Sequence, residues 1–222
     1  MCSSDLGAGV LTLNNAALNT GFTGNVNVTA GTLQLDSAAQ LNAGLVTVQS
    51  GGTLDVGGTL VSPVNVNIGG ILKGSGAITG TLNLDGSFNP GNSPGTFTVN
   101  GNLNLSGSSI LNYELQETDQ TVGGGINDLV VVNGNLTVDG TLNVPDAISS
   151  LTWTTSGTEL SPITWTLMTF TGSLTNNGLV LGNLPTLLSG NSIPQLWRLQ
   201  VIENGGGGGS GGDAQQRRRR RR

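Results

Sequence analysis

A five-residue phrase recurs along this chain: a glycine, a small polar residue, then apolar, polar, apolar. Between Gly80 and Val144 it stands as Gly80-Thr-Leu-Asn-Leu84, Gly95-Thr-Phe-Thr-Val99, Gly101-Asn-Leu-Asn-Leu105, Gly134-Asn-Leu-Thr-Val138 and Gly140-Thr-Leu-Asn-Val144. Upstream it returns as Gly9-Val-Leu-Thr-Leu13, Gly24-Asn-Val-Asn-Val28, Gly31-Thr-Leu-Gln-Leu35 and Gly52-Thr-Leu-Asp-Val56, with Val64-Asn-Val-Asn-Ile68 as a close variant. Strict alternation over four or five positions marks a half-buried strand, with Leu, Val and Ile on one face and Thr, Asn, Gln and Asp on the other. No segment carries a helical apolar period, and Ser37 to Leu45 has room for one helical turn at most.

The spacing of the phrase points to an architecture. Gly9 to Gly31, Gly31 to Gly52, Gly58 to Gly80 and Gly80 to Gly101 are all nearly equal intervals. Each is about 21 or about 22 residues, and a period of about 20 residues built from short strands is the mark of a solenoid. A finer step of 6 separates Gly52 from Gly58, Gly95 from Gly101 and Gly134 from Gly140. Each coil would hold about three strands, with coils stacked in parallel about 4.8 Å apart. Composition agrees. With 36% hydrophobic and 4% aromatic residues in 222, the chain cannot fill a thick, round core. It can fill a narrow one repeated along an axis. The expected fold is all-β, a parallel β-helix. An antiparallel sandwich also uses short strands but gives no reason for the period.

The rhythm breaks after Leu105, since the interval from Gly101 to Gly134 is half as long again as those before it. The excess falls in Leu115 to Asn127, read as a loop protruding from a coil, after which Leu129-Val-Val-Val132 resumes the strands. From Pro145 the texture changes again. Trp153, Trp165, Phe170 and Trp197 gather there, and Trp165–Phe170 and Leu179–Leu181 read as strands with bulkier side chains. A solenoid end exposes strand edges and core, so 145–204 is read as an irregular β cap at the C-terminal end of the 7–144 repeats.

Both ends lack the repeat. Met1-Cys-Ser-Ser-Asp-Leu6 back-translates to GTG TGC TCT TCC GAT CT, which resembles a common sequencing adapter, so 1–6 is expected to be a non-native leader. Residues 205–222, Gly-rich and closing on Arg217 to Arg222, read as a disordered tail. An export signal and an anchor are expected to lie outside this fragment.

Charge excludes several functions. Between Gly7 and Asn204 there are two basic residues, Lys73 and Arg198, against 11 acidic ones, so the body carries 2 − 11 = −9. Such a body disfavours nucleic acid and anionic lipid as ligands. With no His and one Cys, Cys2, the chain has no His-based triad, no His-ligated zinc site and no internal disulfide.

Asn89-Pro-Gly-Asn-Ser-Pro-Gly-Thr-Phe-Thr-Val99, Gly101-Asn-Leu-Asn-Leu105, Leu111-Asn-Tyr-Glu-Leu115 and Asn127-Asp-Leu-Val-Val-Val132 resemble the late passenger region of bacterial autotransporters. Gly24 to Leu35 is similar to the autotransporter-associated β-strand repeat. The resemblance implies a right-handed parallel β-helix at the bacterial cell surface, in the outer membrane or secreted. It further implies a role as stalk or adhesin scaffold, followed in the family by a membrane β-barrel. No barrel strands follow Asn204 in this sequence.

Candidate chemistry is thin. Asp36, Asp55, Asp85 and Asp139 hold similar places in related repeats and would make an acidic row if they stacked. Paired carboxylates at suitable separation support glycoside hydrolysis, which makes a polysaccharide hydrolase or lyase the alternative reading. Outward, solvated side chains or turn formers are the simpler account, and Lys73 is the one basic residue in the repeats. Glu117, Asp119 and Asp128 flank a Gly-rich loop that has carboxylates for calcium but no calcium-loop motif. Asn89 to Gly95 reads as a turn between strands. The sequence therefore assigns no catalytic, cofactor-binding or metal residue and no cofactor. The expected function is non-enzymatic. Expected partners are host or matrix glycans or proteins, or like surface chains, and not nucleic acid. A membrane enters only through an anchor outside the fragment, and the chain itself is expected to be monomeric.

Overall fold

A computed structural model describes residues 8–14, 21–91, 94–115, 121–144 and 164–184. Their strands form three sheets in which neighbouring strands run parallel. The first sheet has 8 strands, in stack order Val10–Leu13, Gly31–Leu35, Gly52–Val56, Ile71–Gly74, Ser87–Pro90, Ile110–Asn112, Thr141–Asn143 and Val180–Leu181. The second has 7: Val26–Val28, Val46–Val48, Val64–Val66, Leu82–Leu84, Leu103–Leu105, Leu136–Val138 and Leu174–Asn176. The third has 6: Gln40–Asn42, Thr59–Val61, Ala77–Thr79, Thr96–Asn100, Leu129–Val132 and Met168–Phe170. From Val26 onward the chain visits second, first and third sheet in turn and then begins again one layer higher. That cyclic order, with parallel pairing throughout the sheets, is a parallel β-helix. Within the described residues there is no helix, and a lone antiparallel bridge joins Gly74 to Gly91.

Inward and outward positions follow the sequence pattern. Val46, Val48, Val64, Val66, Leu82, Leu103, Phe88 and Val130 are all fully buried, and they stack on their register partners along one continuous core. Phe88 and Phe97 meet edge to face there, with ring centroids 5.1 Å apart at 82°. Stacked coils let a few apolar side chains per layer exclude water, because each layer is covered by the ones above and below.

The repeat is less even than its glycines suggest. Gly31 does pair with Gly52, and Leu82 with Leu103, so those intervals are true coils. The interval from Gly58 to Gly80, however, is not a coil. Register places Thr59 opposite Ala77 and Val61 opposite Thr79, a shorter step. The same coil brings Asn83 against Asn65, 18 residues apart. Leu72 and its partner Phe88 are closer still along the chain. Coil length is set by the corners, which shorten without disturbing the inward residues. The finer glycine step proves to be the advance from one sheet to the next. Gly52 to Gly58 leads from the first sheet to the third, Gly95 to Gly101 from the third to the second, and Gly134 to Gly140 from the second to the first.

Two local expectations change. Ser37 to Leu45, read as room for a helical turn, holds the strand Gln40–Asn42, with Leu41 as its single inward residue. The insertion after Leu105 does not wholly protrude, because Tyr113, Leu115, Asn127 and Asp128 at its base are buried. Leu111, Tyr113 and Leu115 continue one inward file past the end of the strand.

Within the segment expected to cap the stack, Met168–Phe170, Leu174–Asn176 and Val180–Leu181 add one more coil, parallel to the coil before it. Its Met168, Phe170, Leu174 and Leu181 are half-buried against the core, with Trp165 beside them. Residues 145–163 and 185–204, Trp153 and Trp197 among them, lie outside the described residues, as do the 1–6 leader and the 205–222 tail.

Candidate interaction surface

The outward residues of neighbouring strands fall into files that run along the axis. On the first sheet one file reads Thr12, Gln34, Asp55, Lys73, Asn89, Asn112, Asn143. Neighbouring members are bonded within three groups. Thr12 Oγ1 donates to Gln34 Oε1 at 3.1 Å, and Lys73 Nζ lies 3.2 Å from Asp55 Oδ2. Asn112 Nδ2 donates to Asn89 Oδ1 at 2.7 Å and Asn143 Nδ2 to Asn112 Oδ1 at 2.9 Å. The Asn183 backbone N–H then donates to Asn143 Oδ1 at 2.8 Å. Identical amides one layer apart form such ladders because the coil spacing equals a hydrogen-bonding distance plus one amide.

A second file on this sheet lies two residues toward the N-terminus of each strand: Val10, Thr32, Thr53, Ile71, Ser87, Ile110, Thr141, Val180. It is mostly β-branched, and Val10, Ile110 and Val180 are exposed. The second sheet presents a purely polar ladder. Asn83 Nδ2 donates to Asn65 Oδ1 at 2.9 Å, and Asn104 Nδ2 donates to Asn83 Oδ1 at 2.8 Å. The third sheet carries Asn133 Nδ2 on Asn100 Oδ1 at 2.8 Å. Corners are laddered too, through Asn67 on Gln49 and through the Asn135 backbone N–H on Asn102.

The four carboxylates weighed as an acidic row do not assemble into one. Asp55 stands on the first sheet and Asp36 at its turn toward the third, whereas Asp85 and Asp139 stand where the second turns toward the first. Asp55 and Asp36 share the wall of a depression of about 380 Å³, together with Asn14, Gln34 and Ser75. Asp55 is only 6% exposed, and its charge is met by Lys73. Asp85 and Asp139 lie on opposite sides of the Ser106 layer, and Asp139 Oδ1 accepts from the Gly140 backbone N–H at 2.8 Å.

Asp128 departs from its reading as part of a solvated loop or calcium cluster. It is 1% exposed. Its Oδ1 accepts from the Gly95 N–H at 2.8 Å and its Oδ2 from the Glu114 N–H at 2.7 Å. One carboxylate thus ties Gly95 to the base of the insertion. Burial raises its pKa to about 6, the two backbone donors oppose that rise, and the Glu114 charge adds to it. Beside it Tyr113 is fully buried with its hydroxyl unpartnered, and burial followed by the Asp128 charge pushes its pKa up. Gly91 holds φ at +89°, and a Cβ there would run into Asp128 Oδ1. The sequence signal missed was the unbroken apolar run after Asp128, whose first two residues, Leu129 and Val130, are both buried. Glu117 and Asp119 lie outside the described residues, among which no group of three His, Cys, Asp or Glu is placed to hold a metal.

Fold and surface together define a parallel β-solenoid with a buried apolar core and laddered polar faces, the architecture expected of an autotransporter passenger region. Comparison with curated proteins agrees. The chain is 46% identical over 102 residues to the Adhesin BmaC autotransporter of Brucella suis biovar 1 (strain 1330). That stretch is 46% of this chain and 3% of the relative's length. No protein-family model matches the chain, and no solved structure does.

Proposed function

We propose that this chain is a segment of a cell-surface autotransporter passenger, acting as a rigid adhesin scaffold without catalysis of its own. The observation that carries the reading is the pair of in-register amide ladders on the first and second sheets, with one further amide pair on the third. Such faces are stiff, repetitive and uncharged along most of their length. They are suited to many weak contacts with glycans or proteins of a host or matrix, or with like chains, and multivalency turns weak contacts into adhesion. Seven stacked layers give a rod roughly 30 Å long, a monomeric spacer that lengthens with each added repeat. The similarity to a named adhesin supports the same reading and a place at the surface or outer membrane.

The test is to display the full chain on a non-adherent bacterial cell and count attachment to immobilised matrix glycoproteins and polysaccharides. The expected result is attachment with no release of reducing ends from the polysaccharides. Release of soluble sugar by the displayed chain would replace the scaffold with an enzyme.

A further inference from the structure

We propose that the outer face of the first sheet binds a neutral, extended β-1,4-linked glycan laid along the solenoid axis. This rests on the adhesin reading above and names the ligand class and the face. Three observations lead to it.

The first is periodicity. Each coil contributes one residue to each outward file, and coils lie about 4.8 Å apart, close to the advance per sugar of a fully extended β-1,4 chain. Successive sugars can therefore each lie over one coil, the Ile110–Asn112 coil offering an aliphatic side chain and an amide side by side.

The second is the pairing of two files. Asn89, Asn112 and Asn143 form one edge. A side-chain amide has two N–H donors and two acceptor lone pairs. In Asn112 the ladder consumes one of each, leaving one donor and one acceptor for a ligand hydroxyl. The parallel file through Ile71 and Ile110 lies two residues away on the same strands, about 7 Å distant. That is about the width of a pyranose ring. A ring resting on the Ile110–Asn112 coil sets its C–H face on Ile110 and its hydroxyl edge on Asn112, while the flanking coils offer Ser87 with Asn89 and Thr141 with Asn143. The second sheet has three-residue strands with one outward file, and so lacks the apolar half of this arrangement.

The third is charge. The chain is acidic overall, at −5, yet this face is neutral because Asp55 and Lys73 cancel across adjacent coils at 3.2 Å. No unpaired cation stands in the file to receive a sulfate or uronate, and the acidic body repels polyanions. The depression walled by Gln34 and Asp55 flanks the same ridge and gives the chain a shoulder to lie against.

Calorimetric titration of the full chain tests this with cellotriose, cellohexaose and polygalacturonate as probes. Cellohexaose should bind at least about tenfold more tightly than cellotriose, since each further coil adds contacts, and polygalacturonate should not bind. Ile110→Lys, at a side chain already 41% exposed, should weaken cellohexaose by about tenfold or more while leaving the far-UV dichroism unchanged. Asn83→Lys on the second sheet should leave binding intact. Absence of cellohexaose binding, equal affinity for both oligomers, or an Ile110→Lys variant that binds like the parent overturns the proposal. So does a dimer in sedimentation that Ile110→Lys dissolves, because the face would then belong to a second copy. If displayed cells still attach to matrix while cellohexaose fails, the scaffold reading stands and only this ligand falls.

Discussion

Leu82 gives the most direct energetic probe of the stacked core. It is fully buried, with Val64 below and Leu103 above in register. Leu→Ala in a well-packed interior costs about 2.7–5 kcal/mol, more where the surroundings cannot close over the gap. Here the neighbours are fixed by main-chain ladders on both sides, so the loss should lie in the upper part of that range, about 3–5 kcal/mol. Leu82→Asp is more severe, since an ionised carboxylate would enter a layer with no partner and little room. A domain has only about 5–15 kcal/mol in hand, so Ala should remain folded with a lowered urea midpoint and Asp should lose the central coils. Far-UV dichroism through a urea titration gives the first number. Hydrogen exchange resolved by peptide gives the second, and protection should vanish first in the coils flanking Leu82. Asn83→Ala is the control. It removes two exposed ladder bonds, at 2.9 and 2.8 Å, and should cost about 0.5–1 kcal/mol. If Leu82→Ala costs no more than Asn83→Ala, Leu82 does not point into a core and the inward register is wrong.

Two further outcomes follow from the insertion base. Asp128 binds its proton more tightly folded than unfolded, with a pKa of about 6 against 3.8. The resulting stability is complete below 3.8, fades as pH rises between those values and is gone above about 6. Urea midpoints across pH 4 to 7 should show this step in the parent, and Asp128→Asn should remove it; an unchanged profile in that variant would assign the step elsewhere. Gly91→Ala adds a Cβ at φ +89° against Asp128 and should cost more than about 1 kcal/mol, read as a fall in urea midpoint, whereas Gly125→Ala, which shares the positive φ (+77°) but meets no neighbouring atom, should cost less.

Much of the solenoid was legible because its code is local. Alternation in Val46-Thr-Val48 or Leu82-Asn-Leu84 fixes which residues face inward, and the recurring phrase announces that coils stack. What escaped the sequence depends on partners far along the chain. Gln40–Asn42 is a strand with a single inward residue, too short to display any period. The false interval from Gly58 to Gly80 arose because glycines mark corners on different sheets, while the true, shorter step lies in inward residues such as Leu60 and Ile78. Asp128 reads as a loop carboxylate until Gly95, far upstream of it, is brought against it. The proposed binding face was the least legible part. One of its files draws on residues as unlike as Thr12, Lys73 and Asn143, which share a column by register and not by kind.

The central claim is that residues one coil apart in register advance along a single axis. Paired spin labels on the second-sheet column test it directly, with Cys2 replaced by Ser. Asn27 and Asn104 are separated by four register steps, Asn27 and Thr175 by six. At about 4.8 Å per step the second pair should lie about 10 Å farther apart than the first, a difference in which the label linkers cancel. Equal distances, or a shorter one for Asn27 and Thr175, would contradict the stack.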